Sequence, residues 1–178
     1  MTDRGDPVNR YAISADSTRE EFLAASKLYA REVVDEYDLS VTVSDLDWDV
    51  SMRAKRRAGA VKWRNGKPEA VVLTWEHFAQ RGWEAAAATI RHELVHVHLL
   101  NEEGDASHGE AFRRLADRLD THVHCERFAA PKWWVTCRDC GARLARYRRS
   151  KLVTQPERYR CGDCGGEFHV VQNDGTLE

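Results

Sequence analysis

A His-Glu-x-x-His motif, formed by His92, Glu93 and His96, limits the folds and functions open to this chain of 178 residues more than any other segment. Residues four positions apart share one face of an α-helix, so both histidines could direct their rings at one metal ion. Apolar residues form a stripe on the opposite side of the segment, at Trp83, Ala87, Ile90, Leu94 and Val97. The pattern predicts a helix over about residues 83–100 that packs along one face and leaves the other for chemistry.

Zinc is the metal that such a motif typically holds, and a catalytic zinc ion takes three protein ligands and leaves a fourth position open. Glu93 lies one step around the predicted helix, beside the metal, where it could accept a proton from a metal-bound water. Two histidines on a helix also occur on protein surfaces and in ordinary cores, so this interpretation requires a third ligand. His98 falls on the far side of the helix from His92 and is interpreted as structural.

The third ligand is expected downstream of the motif. The position six residues past His96 holds Glu102, which excludes the short-spaced zinc pattern. His108 is the preferred candidate because it begins a predicted helix and shares that helix's apolar face. Glu110 is the competing ligand, although residues 107–110 fit a capping box that gives Glu110 a local role.

Local patterns in the rest of the first 130 residues predict an α+β domain. The first predicted element is a helix opened by a capping box at 17–20 and ending near Asp38. A strand on Leu39, Val41 and Val43 follows, then a strand in the opposite phase on Leu46, Trp48, Val50 and Met52, and then a hairpin of residues 60–64 and 69–73 around Asn65-Gly66. The last elements are a short helical turn capped by Thr74, the motif helix, and a helix from residue 107 to about Asp120. The expected architecture is a set of helices packed on a small antiparallel sheet.

Four of the five cysteines form two Cys-x-x-Cys pairs separated by 20 residues. The pairs are Cys137 with Cys140 and Cys161 with Cys164. Two such knuckles can place four thiolates tetrahedrally around a structural zinc ion, and so short a segment requires the metal to fold. We therefore predict a small β-rich zinc ribbon. The remaining cysteine, Cys125, is interpreted as a small buried residue.

The predicted ribbon mixes cations with aromatic side chains. Residues 131–178 hold 9 Lys+Arg against 6 Asp+Glu, whereas residues 1–130 hold 18 against 23. Cations pair with phosphates and aromatic rings stack on bases, so this composition indicates contact with single-stranded nucleic acid. The partner that we expect is DNA, either single-stranded or at junctions of single and double strands. The candidate residues are Arg143, Arg146, Tyr147, Arg148, Arg149, Lys151, Arg158, Tyr159 and Arg160. The alternative is a ribbon whose charges only solubilise it and whose tyrosines form its core. Trp133-Trp134 is interpreted as packing between the two modules rather than as a base-stacking pair.

Composition indicates an ordinary globular protein, with 42% hydrophobic and 31% charged residues. No apolar run approaches the length of a membrane span, and residues 1–7 lack the character of a signal peptide. We therefore expect a cytoplasmic protein with no membrane partner. We also expect it to be a monomer, and the expected contact with DNA would associate it with the nucleoid.

The motif segment and the segment around His108 together resemble one known family. His92-Glu-Leu-Val-His96, the acidic loop after the motif helix, and His108-Gly-Glu-Ala-Phe112 are similar to the SprT family, which includes the Spartan proteases. Residues 57–67 also resemble the strand region of that family. The resemblance covers roughly residues 17–125. It implies a zincin-like fold with zinc on His92, His96 and His108, Glu93 as catalytic acid and base, and a DNA-dependent protease that digests proteins trapped on DNA.

These inferences divide the chain into a polar lead-in (1–16), a zincin-like protease domain (17–130) and a zinc-ribbon module (131–178). The expected function is a zinc-dependent endopeptidase that cleaves proteins crosslinked or bound to DNA, with one catalytic and one structural zinc ion. Two alternatives stay open. One is a transcription-associated nucleic-acid-binding zinc protein with little or no protease activity, and the other is a metallopeptidase acting on free peptides.

Overall fold

The computed structural model describes residues 6–54, 56–124 and 130–173. The chain forms two compact units, Met1–Phe128 and Ala129–Glu178, which are described separately below. Cys125, predicted to be a small buried residue, lies outside the described residues. Within those residues, no helix has both the length and the apolar character needed to cross a lipid bilayer.

The first unit combines four helices with a three-stranded sheet in its described part. Its elements are α1 (Pro7–Arg10), α2 (Arg19–Tyr37), a 3-10 turn (Val43–Asp45), β1 (Asp47–Ser51), β2 (Gly59–Arg64), β3 (Lys67–Thr74), α3 (Trp75–Glu103) and α4 (Glu110–Arg118). Residues 6–13, within the segment expected to be a polar lead-in, pack onto this unit. Trp83 donates a hydrogen bond of 2.7 Å from Nε1 to the Val8 carbonyl, and Tyr11 and Ile13 lie against the core.

The sheet has the order β1-β3-β2, with β1 parallel and β2 antiparallel to β3. The predicted hairpin is confirmed, and Asn65 and Gly66 both have the positive φ of a primed turn. The prediction of a purely antiparallel sheet is wrong. β1 and β2 occupy the two edges of the sheet, and β3 lies between them.

The strand predicted on Leu39, Val41 and Val43 is wrong. This segment is a loop followed by the 3-10 turn, and the amide of Val41 bonds locally to the Leu39 carbonyl at 2.7 Å. All three side chains are nevertheless buried, because the loop directs alternate residues into the core. The next prediction is confirmed in part. β1 buries Trp48 and Val50 in the even-numbered phase, and Leu46 is buried just before it, whereas Met52 follows β1 and is 54% exposed.

Two of the predicted helix starts differ in detail. The capping box of α2 forms between Thr18 and Glu21, one residue later than predicted. Thr74 occupies the N-cap position of α3, but its hydroxyl donates to the Arg57 carbonyl at 2.7 Å instead of capping the helix.

The predicted motif helix forms the second part of α3. Gly82 has a φ of 79° and interrupts the helix, so residues 75–81 and 83–103 are two helical segments. The predicted apolar stripe from Trp83 to Val97 is buried in the core. The opposite face is also covered, because His92 and Glu93 are buried as well. The face that carries the motif is therefore largely enclosed rather than open to solvent.

The second unit is a small three-stranded antiparallel sheet in its described part. Its elements are β4 (Trp133–Cys137), β5 (Arg143–Arg146), α5 (Lys151–Thr154), a 3-10 turn (Pro156–Arg158) and β6 (Phe168–Gln172), with β4 between β5 and β6. Its buried hydrophobic cluster comprises Val135, Cys137, Cys161 and Phe168. A core of this size gives little stability by itself, so a bound metal fits the requirements of this unit.

Candidate metal centres

The side chains of His92, His96 and His108 converge between α3 and the segment that precedes α4. The Nε2 atom of His108 lies 3.0 Å from Nε2 of His96 and 3.4 Å from Nε2 of His92. Nitrogen ligands at 2.0–2.1 Å from a tetrahedral zinc ion are about 3.3 Å apart. The three imidazoles therefore have the spacing that a zinc ion requires.

Burial keeps these imidazoles neutral, which is the form that binds a metal. Loss of hydration lowers the pKa of His92 and of His108, and lowers the pKa of His96 to about 3. His92 is also held in one tautomer, because its Nδ1 lies 2.7 Å from the carbonyl oxygen of His122, which must accept. Nδ1 therefore carries the proton, and Nε2 keeps a lone pair for the metal.

A buried phenylalanine forms the packing surface behind the three rings. Phe112 in α4 is fully buried. Its ring centroid lies within 4.5–4.9 Å of the ring centroids of His92, His96 and His108. The prediction that His108 begins the helix is wrong, because His108 lies before the N-cap of α4. Its ring still contacts Phe112, which limits the orientations open to the three imidazoles.

The start of α4 differs from the prediction. Gly109 is the N-cap, and Ser107 bonds to the carboxylate of Asp105 instead of capping the helix. The capping box predicted for Glu110 is therefore wrong. The Glu110 side chain is 84% exposed and lies 3.3 Å from Nη1 of Arg114. This carboxylate is kept away from the three histidines because it is exposed and points toward Arg114, and not because it caps a helix.

Glu93 follows His92 on α3, and its carboxylate is buried against β2. Its exposed fraction is 3%. Burial raises the pKa of Glu93 to about 8, although Arg57 and the backbone N–H of Val61 oppose this shift. The Val61 N–H donates a hydrogen bond to the carboxylate. A carboxyl group with one fixed partner beside a metal centre is suited to proton transfer.

A cavity of about 480 Å³ opens beside His92. Small side chains of α3 and of the residue before β2 form part of its lining, namely Ala58, Ala85, Ala88 and Thr89. On α3, positions 85, 88, 89 and 92 lie along one helical face, so this lining leads directly to the metal centre. The remaining lining is largely polar and includes His77, Arg81 and Asp120.

The four knuckle cysteines converge in the second unit. Sγ of Cys137 lies 3.5 Å from Sγ of Cys164, and Sγ of Cys140 lies 3.7 Å from Sγ of Cys161. These separations are too long for a disulfide and close to the value of about 3.8 Å expected around a tetrahedral zinc ion. A hydrogen bond from the backbone N–H of Cys140 lowers the pKa of Cys137 to about 7, which favours the thiolate that a metal requires.

The residues predicted to contact DNA lie on the second unit with unequal exposure. Seven of the nine are exposed, namely Arg143, Arg148, Arg149, Lys151, Arg158, Tyr159 and Arg160, while Arg146 and Tyr147 are half-buried. The guanidinium of Arg143 lies 4.2 Å from the ring centroid of half-buried Trp134. Arg160 is 3.4 Å from Glu167, so part of its charge is balanced within the unit.

Several residues of the site did not emerge from the sequence. The backbone groups of Val61 and His122 carry no side-chain signal. His124, which lacks ligand-like spacing, has its ring centroid 5.6 Å from that of His108. Gly59 lies against Glu93. A glycine in a strand often marks a place where another group approaches the backbone closely, and this is the sequence signal that could have identified it. His98, predicted to be structural, accepts a hydrogen bond of 3.0 Å from the amide of Ser40.

Comparison with known proteins identifies the family. The model of the SprT-like family matches residues 24–131, more than half of the chain. A protein named SprT-like from Geobacillus kaustophilus (strain HTA426) is 35% identical over 107 residues, which cover 56% of this chain and 69% of that protein. A protein of the same name from Streptococcus gordonii is 25% identical over 150 residues, which cover 79% of this chain and 98% of the relative. The protein of the same name from Bacillus subtilis (strain 168) is 29% identical over 111 residues, which cover 57% of this chain and 69% of that protein. The chain belongs to the SprT-like family.

Proposed function

We propose that this chain is a zinc-dependent endopeptidase that cleaves proteins bound or crosslinked to DNA. The observation that carries the proposal is that Glu93, whose carboxylate is buried, directly follows His92 in the sequence. The imidazole of His92 converges with those of His96 and His108. Neutral imidazoles at zinc spacing next to an enclosed carboxyl group match the requirements of metal-assisted peptide hydrolysis.

A zinc ion bound by the three histidines would supply a Lewis acid and an acidified water at its fourth position. Glu93 accepts a proton from the attacking water at a carboxylate oxygen and delivers it to the amine nitrogen of the departing chain. The N–H of Val61 holds the Glu93 side chain in position for both transfers. Burial of Glu93 excludes competing water, and Phe112 and the His122 carbonyl keep the imidazoles in place.

The substrate path follows from the position of β2 at one edge of the sheet. An extended peptide can add to the free edge of a strand through backbone hydrogen bonds. The Val61 segment of this strand contacts Glu93, so a peptide beside β2 passes the proton-transfer group. The cavity beside His92 has room for a side chain next to the bond that is cleaved.

Action on DNA-bound proteins is supported by the second unit. Exposed arginines and a lysine supply cationic side chains in this unit, and Tyr159 supplies an exposed aromatic ring. Cations and rings in this combination suit single-stranded DNA. DNA binding would concentrate the enzyme on its substrates, and it would place the protein at the nucleoid.

The experiment that tests the proposal measures cleavage of a protein substrate by the wild-type protein and by Glu93→Gln. The substrate is attached to single-stranded DNA, attached to duplex DNA, or free of DNA. We expect Glu93→Gln to reduce cleavage by at least about 100-fold, because the amide cannot transfer the proton. Zinc content and DNA affinity stay unchanged in this variant. Glu102→Gln is the matched control, since that carboxylate is exposed on the same helix.

The outcomes separate the competing functions. Cleavage that is equal with and without DNA contradicts DNA dependence and identifies a peptidase of free polypeptides. Wild-type protein that binds DNA but cleaves no substrate in any condition contradicts the protease, and favours a nucleic-acid-binding accessory of transcription. That second function is favoured by one observation, the concentration of exposed candidate DNA contacts in the second unit.

A further inference from the structure

Gly59, the first residue of β2, lies directly against the side chain of Glu93. A Cβ atom at Gly59 would be 2.6 Å from Oε1 of Glu93, 2.9 Å from its Cγ, and 2.8 Å from Cγ2 of Thr89. Non-bonded carbon atoms are most stable at about 3.5–4.0 Å, so a methyl group cannot occupy this space without moving a neighbour. The absent side chain is what allows β2 and α3 to approach here.

The backbone conformation gives no other reason for a glycine at this position. Gly59 is not among the residues with positive φ, which in the described chain include Gly66 and Gly82. Its φ and ψ are therefore open to alanine. Space, rather than conformational freedom, is the property that this glycine supplies.

The strand has little freedom to withdraw from the helix. Gly59 pairs with Leu73 in the sheet, and the preceding two residues are fixed to Thr74. The Thr74 amide donates to the Ala58 carbonyl at 2.8 Å, and its hydroxyl donates to the Arg57 carbonyl at 2.7 Å. Movement of the strand would break these bonds.

The helix is fixed as firmly on its other side. Ile90, which lies just before the motif on α3, and Leu94, which lies within it, are fully buried in the core. Moving them outward would open space in a closely packed interior. The groups that can yield to a new methyl group at Gly59 are therefore the side chains of Glu93 and Thr89.

We propose that Gly59 is a positioning residue for Glu93. Its missing side chain provides the space in which the carboxylate meets the Val61 N–H beside the metal centre. This inference rests on the proposed function, in which Glu93 transfers the proton. A methyl group at Gly59 displaces the carboxylate and leaves the imidazoles in place, because Phe112 and the His122 carbonyl hold them from other directions.

The test is Gly59→Ala in the full chain with zinc present. We expect kcat to fall about 100-fold, since a displacement of about 1 Å at a reacting group has an effect of this size. KM and zinc content stay close to the wild-type values, because neither depends on the position of Glu93. Gly162→Ala is the matched control, since a methyl group there meets open space.

A second variant separates displacement of Glu93 from general strain. Thr89→Ser removes the Cγ2 atom that crowds Gly59 and keeps the hydroxyl that donates to the Ala85 carbonyl. In the Gly59→Ala background we expect Thr89→Ser to recover melting temperature but not kcat. Recovery of kcat as well would overturn the proposal, as would wild-type kcat in Gly59→Ala itself. If Gly59→Ala does not fold, the double variant is measured in its place.

A readout independent of proteolysis is the backbone amide signal of Val61 in a ¹⁵N–¹H NMR spectrum. Glu93→Gln changes the hydrogen-bond acceptor of this amide, so its signal shifts. We expect Gly59→Ala to shift the same signal strongly, while the Gly162→Ala control does not. An unmoved Val61 signal overturns the positioning role. If wild-type protein shows no proteolysis, the proposed function fails, whereas this measurement still decides the position of Glu93.

Discussion

Nη2 of Arg91 donates a hydrogen bond of 2.7 Å to the backbone carbonyl oxygen of Asp120. The same guanidinium contacts the hydroxyl of Tyr29 on α2. Two residues after Asp120, the carbonyl of His122 accepts the hydrogen bond from Nδ1 of His92. Arg91 directly precedes His92 in the sequence, so its side chain fixes the loop whose His122 carbonyl orients the His92 imidazole.

Loosening this loop should weaken metal binding without removing a ligand. We expect Arg91→Met to reduce the zinc affinity of the histidine site about 10-fold, as is usual when a ligand loses its orienting partner. Competition with a chromogenic chelator measures this affinity. Arg114→Met is the control, because Arg114 is exposed and contacts Glu110 on the surface. Equal affinities in the two variants would contradict the role of the loop.

Zinc stoichiometry distinguishes the two candidates for the third ligand. We expect His108→Ala to lower the metal content from two ions per chain to one, since the structure contains two converging groups in its described residues. Glu110→Ala should retain both ions, because its carboxylate is exposed and directed at Arg114. Elemental analysis after dialysis gives the counts. Loss of an ion from the Glu110 variant would reverse this assignment.

The second unit should depend on its metal for folding. Its buried cluster is small, and structural zinc contributes about 10–16 kcal/mol in comparable modules. We expect Cys161→Ser to collapse the NMR signal dispersion of residues 130–173 and to preserve that of the first unit. Asp163→Asn, an exposed change within the same knuckle, should preserve both. A dispersed spectrum for zinc-free Cys161→Ser would show that the sheet folds without metal.

The exposed arginines of the second unit should bind DNA through phosphates. We expect the double change of Arg148 and Arg149 to alanine to weaken single-stranded DNA binding regardless of sequence. The slope of log affinity against log salt should fall by about 0.7 for each phosphate that is no longer neutralised. Titrations at several salt concentrations measure this slope, and Arg31→Ala in the first unit is the control. An unchanged slope would remove these two residues from the interface.

The parts of the fold that the sequence predicts are those with local signals. The motif helix follows from the helical spacing of Trp83 to Val97, and the hairpin follows from Asn65-Gly66. The segment from Leu39 to Val43 shows the limit of such signals, because alternating burial arises from a packed loop as well as from a strand. The parallel pairing of β1 with β3 joins segments that are separated in the sequence by β2 and its flanking residues, and no local pattern specifies it.

The candidate site divides in the same way. The histidines and Glu93 carry their chemistry in their side chains. Helical spacing selected His92, Glu93 and His96, whereas His108 was selected on a helix that begins only at Glu110. The groups that support them are backbone atoms or empty space: the His122 carbonyl, the Val61 N–H and the missing side chain of Gly59. Tertiary folding brings them to the site from distant positions, and any residue type has a carbonyl and nearly any has an N–H.

The most direct test of the metal centre is X-ray diffraction from crystals of the zinc-loaded protein, with data collected on both sides of the zinc absorption edge. We expect an anomalous difference peak about 2.0–2.1 Å from Nε2 of His92, His96 and His108, and a second peak about 2.3 Å from the four knuckle sulfurs. Density showing His108 turned away, with no anomalous peak between α3 and α4 in protein prepared with excess zinc, would contradict a catalytic zinc site in this chain.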